Sequence, residues 1–116
     1  MEKKVLWFSR HEMTQDQKAA LGPDVVINQV DKTIQSAYEL KDEIEESDII
    51  AIVAPIHIQQ QFLKLAGSKP VIMAVNDRVF VKQPDGSEDK VEFRFVKWSR
   101  LVKIEVVKED YVPGDL

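Results

Sequence analysis

The chain has no cysteine, four glycines and two histidines among its 116 residues. Without cysteine it can form no disulfide, thiolate zinc site, iron–sulfur cluster or cysteine nucleophile. No G-x-G-x-x-G pattern follows the first apolar run and no Walker lysine motif occurs, so a standard dinucleotide site is not expected. Two histidines without carboxylates at ligand spacing give no metal signature. We therefore expect neither a metal nor a cofactor.

Basic charge and long apolar runs are also scarce. The net charge is −4 with a pI near 5.2, which argues against a global field that steers the protein onto nucleic acid. The apolar runs are far too short for a signal peptide or a membrane span. A hydrophobic content of 44% beside 31% charged residues is typical of one globular domain. These features predict a cytoplasmic protein that does not enter a membrane.

What the chain does have, up to about residue 75, is an alternation of apolar runs and helical patterns. The runs predict four strands, at residues 4–9, 25–30, 49–54 and 71–75. Helices are expected after Thr14 and Ser36, which open capping boxes with Gln17 and Glu39, and from Ile58 to Ala66. Right-handed β-helix-β crossovers then give a parallel sheet. The expected fold is a three-layer α/β sandwich, Rossmann-like or flavodoxin-like.

The last third of the chain changes character. Residues 78–82 and 90–95 alternate apolar and charged side chains around a Pro84-Asp85-Gly86-Ser87 turn, which predicts an antiparallel hairpin. Residues 101–107 alternate again and predict a final strand. We therefore expect a single domain over residues 1–116, with a core at 1–75, an antiparallel extension at 76–110 and a frayed tail at 111–116.

Strand order decides which loops face one another. In the favoured order 2-1-3-4, strands one and three are neighbours at the switch point, where ligands bind beyond the carboxyl ends of the strands. His11 and His57 then face each other across a crevice. In the alternative order 3-2-1-4, His11 lies beside Asn76, Asp77 and Arg78 instead.

The residues that follow the strands supply the candidate site. Arg10 is permanently charged and suits phosphate or carboxylate, and the helix that follows Thr14 offers N–H groups to an anion. Histidine serves as acid, base or nucleophile near neutral pH, so His11 is the candidate catalytic residue. The predicted ligand-binding residues are Ser9, Arg10, His11, Thr14, His57, Asn76, Asp77 and Arg78. Strand capping, helix capping and turn formation would explain the same residues without any ligand.

The sequence Arg10-His11-Glu12-Met13-Thr14 resembles the arginine-histidine-glycine-glutamate-threonine motif of histidine phosphatases of the phosphoglycerate mutase type. In that family the motif follows the first strand and its histidine takes the phosphoryl group, a role that the resemblance would give to His11. His57 is similar in placement to the family's second catalytic histidine. Glu12 stands where the family has glycine, and the family's second arginine motif is missing. The resemblance implies a degenerate phosphohydrolase as one alternative.

Three functions follow as hypotheses. The first is binding of an anionic, nucleotide-like small ligand at the ends of strands one, three and four, with the balance against catalysis because a convincing second catalytic group is lacking. The second is a non-catalytic interaction module that uses its C-terminal strands for self-association or partner binding. The third is the degenerate phosphohydrolase. A homodimer is expected in either of the first two cases.

Overall fold

The structure, a computed structural model, describes residues 2–114 and contains one five-stranded sheet of order β2-β1-β3-β4-β5. The strands are β1 (Lys3–Phe8), β2 (Val25–Val30), β3 (Ile49–Ile52), β4 (Val71–Val81) and β5 (Lys90–Arg100). The helices are α1 (Gln15–Leu21), α2 (Lys41–Glu46, preceded by a 3-10 turn at Ala37–Leu40) and α3 (Ile56–Ala66). The first four strands are parallel and β5 is antiparallel to β4. The predicted α/β class and the favoured order 2-1-3-4 are confirmed.

Local sequence explains where the helices begin. Thr14 accepts a hydrogen bond from the Gln17 backbone N–H while the Gln17 side chain binds back to the Thr14 N–H, which is the predicted capping box. Ser36 and Glu39 form the second box, although the turn that they open is 3-10 before it becomes α2. The end of α2 is held by Lys69, whose Nζ donates to the carbonyls of Ile44 and Glu45 at 2.8 Å each.

Buried apolar side chains form one cluster on each face of the sheet, as alternation along the strands requires. One cluster joins Leu6, Ile50 and Ile52 to the face that α2 and α3 cover, with Phe62 of α3 fully buried. The other joins Val5, Trp7 and Ala51 to Met13 and to the partly buried Leu21 and Trp98. The rings of Trp7 and Trp98 meet edge to face at 5.8 Å, which ties β5 to β1 across the sheet.

The structure corrects two predictions for the last third of the chain. Asn76, Asp77 and Arg78 do not form a loop after strand four, because β4 runs without a break from Val71 to Val81. Pairing with β5 extends over this length, with one register shift between Val75 and Asn76, and removes the need for a turn. The predicted final strand at 101–107 is also wrong. The second hairpin strand instead continues to Arg100, and residues 101–112 form neither helix nor strand. The predicted frayed tail at 111–116 lies partly outside the described residues.

Two segments project from the body of the protein. Beyond Ile72, β4 no longer pairs with β3, so the hairpin continues as a two-stranded ribbon; we call residues 76–95 the arm. We call residues 102–112 the C-terminal segment. The radius of gyration is 18.3 Å, against about 13 Å for a compact domain of this length. The arm and the C-terminal segment account for this elongation.

Candidate functional site

A crevice lies where the carboxyl ends of β1, β2 and β3 meet the start of α3. Its volume is about 520 Å³, within the usual range of about 300–1,000 Å³ for small-molecule sites. Its walls are apolar, and a polar rim surrounds them. The apolar residues are Phe8, Val30, Ile34, Val53, Pro55 and Ile58, and the polar ones are Ser9, Arg10, His11, Lys32, Thr33 and His57.

Side chains from two strands fix the loop that follows β1. Trp7 Nε1 donates to the carbonyl oxygen of His11 at 2.8 Å. Gln29 Nε2, on β2, donates to the carbonyls of Ser9 at 2.9 Å and of His11 at 3.1 Å. The buried Ser9 Oγ accepts from the His11 N–H at 3.1 Å. The backbone of residues 9–11 is therefore held by hydrogen bonds while the side chains of Arg10 and His11 remain exposed.

Arg10 reaches across the crevice towards the loop after β2. Its Nη2 donates to Thr33 Oγ1 at 2.7 Å. Within residues 2–114 it forms no ion pair with Glu12 or Asp16, the partners that a purely structural role would favour; the two ion pairs found there lie at Glu92–Arg94 and Lys103–Glu105. The guanidinium is oriented by a neutral partner, and among the described residues no carboxylate pairs with it at the rim.

His57 lies in the first turn of α3, on the opposite side of the crevice from His11. The N-cap of this helix is Pro55, and in the described part of the chain it provides no side-chain hydrogen bond to the first turn. The first N–H groups of α3 are therefore not capped by a side chain, and the positive end of the helix dipole faces the rim. Gln59 Nε2 closes the turn by donating to the carbonyl of Ala54 at 2.7 Å.

The charges around the crevice are mostly positive. Arg10 and Lys32 are cations, and among the described residues that line it there is no aspartate or glutamate. The carboxylates of Glu12 and Asp31 are next in sequence to the lining residues His11 and Lys32. A further carboxylate, Glu39, interacts with Lys32: the backbone N–H groups of Gln35 and Ser36 hold the pKa of Glu39 below its usual value, and the charge of Lys32 adds to this lowering. A rim of this kind attracts an anion, with apolar walls left to contact an uncharged part of the ligand.

A second, smaller cavity of about 360 Å³ lies on the α1 face of the sheet. Ser9 and His11 border both cavities, whereas Thr14 and Asn76 border the smaller one and Arg10 and His57 border the crevice. The predicted contribution of the α1 N-terminus has little support from the geometry. The helix has seven residues, and the Thr14–Gln17 capping box already uses the N–H groups of Thr14 and Gln17.

Asp77 and Arg78 border neither of these two cavities. They lie on the arm, and the guanidinium of Arg78 stacks over the ring of Phe80 at 5.6 Å from the ring centroid. The structure therefore brings together Ser9, Arg10, His11 and His57, places Thr14 and Asn76 on the other side of the His11 loop, and leaves Asp77 and Arg78 apart.

Sequence reasoning missed Lys32 and Thr33, the crevice residues that follow β2. The predicted strand order was sufficient to find them, because the order 2-1-3-4 places the loop after β2 directly beside the loop after β1. The strand pairing Phe8–Val30 brings the two loops together at the same edge.

Among residues 2–114 there is no group of three or more histidine, cysteine, aspartate or glutamate side chains that could hold a metal ion. In the same range no helix has both the length and the apolar character needed to cross a membrane.

Comparison of the chain with protein-family models, with curated proteins and with solved structures gave no significant match.

Proposed function

We propose that the protein binds an anionic, nucleotide-like small ligand in the crevice between the ends of β1, β2 and β3 and the start of α3. The observation that carries this proposal is the presence of Arg10, His11 and His57 around one cavity with apolar walls. The three-layer, flavodoxin-like arrangement predicted for the fold places ligands at this switch point. The site therefore agrees with the position at which such folds bind.

The two ends of the ligand have different requirements. Its anionic group is placed at the rim, where Arg10, Lys32 and the first turn of α3 supply positive charge and N–H donors. Its less polar body, such as a base or another ring, is placed against Phe8, Val30 and Ile34. Binding without catalysis is the simpler assignment, because His11 and His57 lack an adjacent carboxylate among the residues that line the crevice.

A thermal-shift screen against nucleotides, sugar phosphates and inorganic phosphate tests the proposal. A ligand at 100 times its Kd stabilises the folded state by about 2.7 kcal/mol, which is about 10 °C in Tm for a domain of this size. We expect this shift in the wild-type protein and its loss in Arg10→Ala and in His11→Ala. Arg94→Ala is the matched control, because Arg94 is an exposed arginine on the arm and should leave the shift intact.

Absence of any shift across the screen would contradict ligand binding. A shift that survives Arg10→Ala and His11→Ala would place the ligand elsewhere. Measurement of phosphate release in the same samples separates binding from the degenerate phosphohydrolase alternative, since His11-dependent release would favour the latter. The second hypothesis, self-association through the C-terminal strands, depends on another part of the molecule and is compatible with the ligand site.

A further inference from the structure

The arm carries an uncovered aromatic face. The strand register pairs Arg78 with Phe93 and Phe80 with Val91, so these four side chains point to the same side. Phe80 and Phe93 are 63% and 73% exposed, which leaves roughly 250 Å² of ring surface in water. A two-stranded hairpin is marginally stable on its own, so a partner that covers these two rings would stabilise the arm.

The face lies on the α1 side of the sheet. Phe95 continues it towards the body of the protein and contacts Trp98, whose ring packs on Trp7. Trp98 Nε1 also donates to the carbonyl of Gln17 in α1 at 3.1 Å. The aromatic face is therefore continuous with the cluster around Trp7, but within residues 2–114 no helix covers it beyond Phe95.

The C-terminal segment lies on the opposite side of the sheet. After Leu101, whose N–H donates to the carbonyl of Val71, the chain passes along α3, where Lys103 and Ile104 border a groove with Gln60 and Lys64. Eleven residues in extended form span about 36 Å. Most of the large apolar side chains of this segment are strongly exposed: Val102, Val106, Val107, Tyr111 and Val112.

The aromatic face of the arm and the C-terminal segment are chemically complementary, but within one copy of the protein they lie on opposite faces of the sheet. The outer edge of β5 is unpaired within the described residues, and this strand carries four basic side chains and one acidic one. Residues 105–112 carry three acidic side chains and one basic one. The acidic charge of the C-terminal segment is thus complementary to the basic charge of the β5 edge, and its valine side chains are complementary to the aromatic face beside that edge.

We propose that the protein forms a two-fold dimer in which the C-terminal segment of each copy pairs with the β5 edge of the arm of the other copy and covers its aromatic face. Addition of a strand to an exposed edge supplies main-chain hydrogen bonds, and valine and tyrosine side chains bury Phe80 and Phe93. Two-fold symmetry makes both contacts identical, so each copy gives one segment and receives one. The dimer is independent of the ligand proposal, because the crevice lies at the ends of other strands.

Sedimentation velocity on the full chain at about 5 to 100 µM tests the dimer. We expect the wild-type protein to be dimeric, and we expect Phe93→Ser and Val106→Asp each to raise the dimer Kd about tenfold or more. Val26→Asp is the matched control, since Val26 is an exposed valine on the opposite sheet edge and should leave the dimer unchanged. Far-UV circular dichroism verifies folding, and Phe80→Ser replaces Phe93→Ser if that variant misfolds.

Mixing the two variants tests the exchange itself. In a heterodimer, the Phe93→Ser copy has a wild-type C-terminal segment and the Val106→Asp copy has a wild-type arm. The contact between these two parts is intact. The other contact carries both substitutions, and because the two side chains meet there, the second substitution removes little that the first has not already removed. We therefore expect the mixture to dimerise more tightly than either variant alone. A monomeric wild-type protein, a dimer that both variants leave intact, a mixture without rescue, or dissociation by Val26→Asp would each overturn the proposal.

Discussion

Gln29 provides the most direct link between the fold and the candidate site. Its side-chain amide lies on β2 and donates to the carbonyls of Ser9 and His11, at 2.9 and 3.1 Å. Gln29→Met keeps the length of the side chain but removes both donors. A net hydrogen bond contributes about 0.5–1.5 kcal/mol. The His11 carbonyl keeps its bond from Trp7, so we expect a loss of about 1–2 kcal/mol in the free energy of unfolding.

Urea denaturation followed by circular dichroism measures this loss, which corresponds to a fall in Tm of about 4–8 °C. We also expect weaker ligand binding, because residues 9–11 would no longer be held at the rim. Asn28→Leu is the matched control, since Asn28 is the adjacent, exposed amide on the same strand and its loss should change stability by less than about 0.5 kcal/mol. If Gln29→Met changes stability no more than this control, Gln29 does not hold the loop.

Three further predictions concern stability. Lys69→Met removes the ammonium that binds the last carbonyls of α2 and should cost about 1–3 kcal/mol in urea unfolding, whereas Lys64→Met, at an exposed lysine of α3, should cost almost nothing. Phe62→Ala should cost about 3–5 kcal/mol because Phe62 is fully buried and its ring lies 5.5 Å from that of Phe8; a loss no larger than that of Phe62→Leu would contradict this packing. Hydrogen bonds from the backbone of Gln35 and Ser36 lower the pKa of Glu39 from its usual 4.5, so its stabilising effect is present above that pH and lost as pH falls through the lowered pKa. Stability measured from neutral pH to about pH 3 should therefore fall less in Glu39→Gln than in the wild-type protein, and equal slopes would refute the role of this carboxylate.

The parallel part of the fold was predictable because its signals are local. The strand predicted at 25–30 has the bounds of β2 in the structure, and the Thr14–Gln17 capping box marks the residue before α1. Handedness then gives a parallel sheet, and of the two common strand orders the favoured one, 2-1-3-4, is the one observed. The position of the crevice follows from that order, since the residues after parallel strands gather at one edge of the sheet.

The C-terminal third was harder to predict because its structure depends on which strands pair with each other and not on the strand or turn propensity of its residues. Asn76 and Asp77 are typical turn residues, yet they remain in β4 because β5 supplies hydrogen bonds along the whole strand. Residues 101–107 alternate like a strand, but alternation alone does not provide a neighbouring strand to pair with. Turn-forming residues at 76 and 77 predict an early end of the fourth strand and so place Asp77 and Arg78 in the site, whereas β4 continues to Val81 and carries them onto the arm.

The hydrogen bond between Trp98 and Gln17 spans 81 positions of the chain. It has a consequence for the order in which the polypeptide acquires its structure. Helix α1 buries none of its residues fully and contacts β5, so its own sequence gives it little independent stability. While a ribosome synthesises the protein, α1 gains this support only after residue 98 has emerged. A helix encoded near the start of the message thus waits for part of its packing until most of the chain has been made.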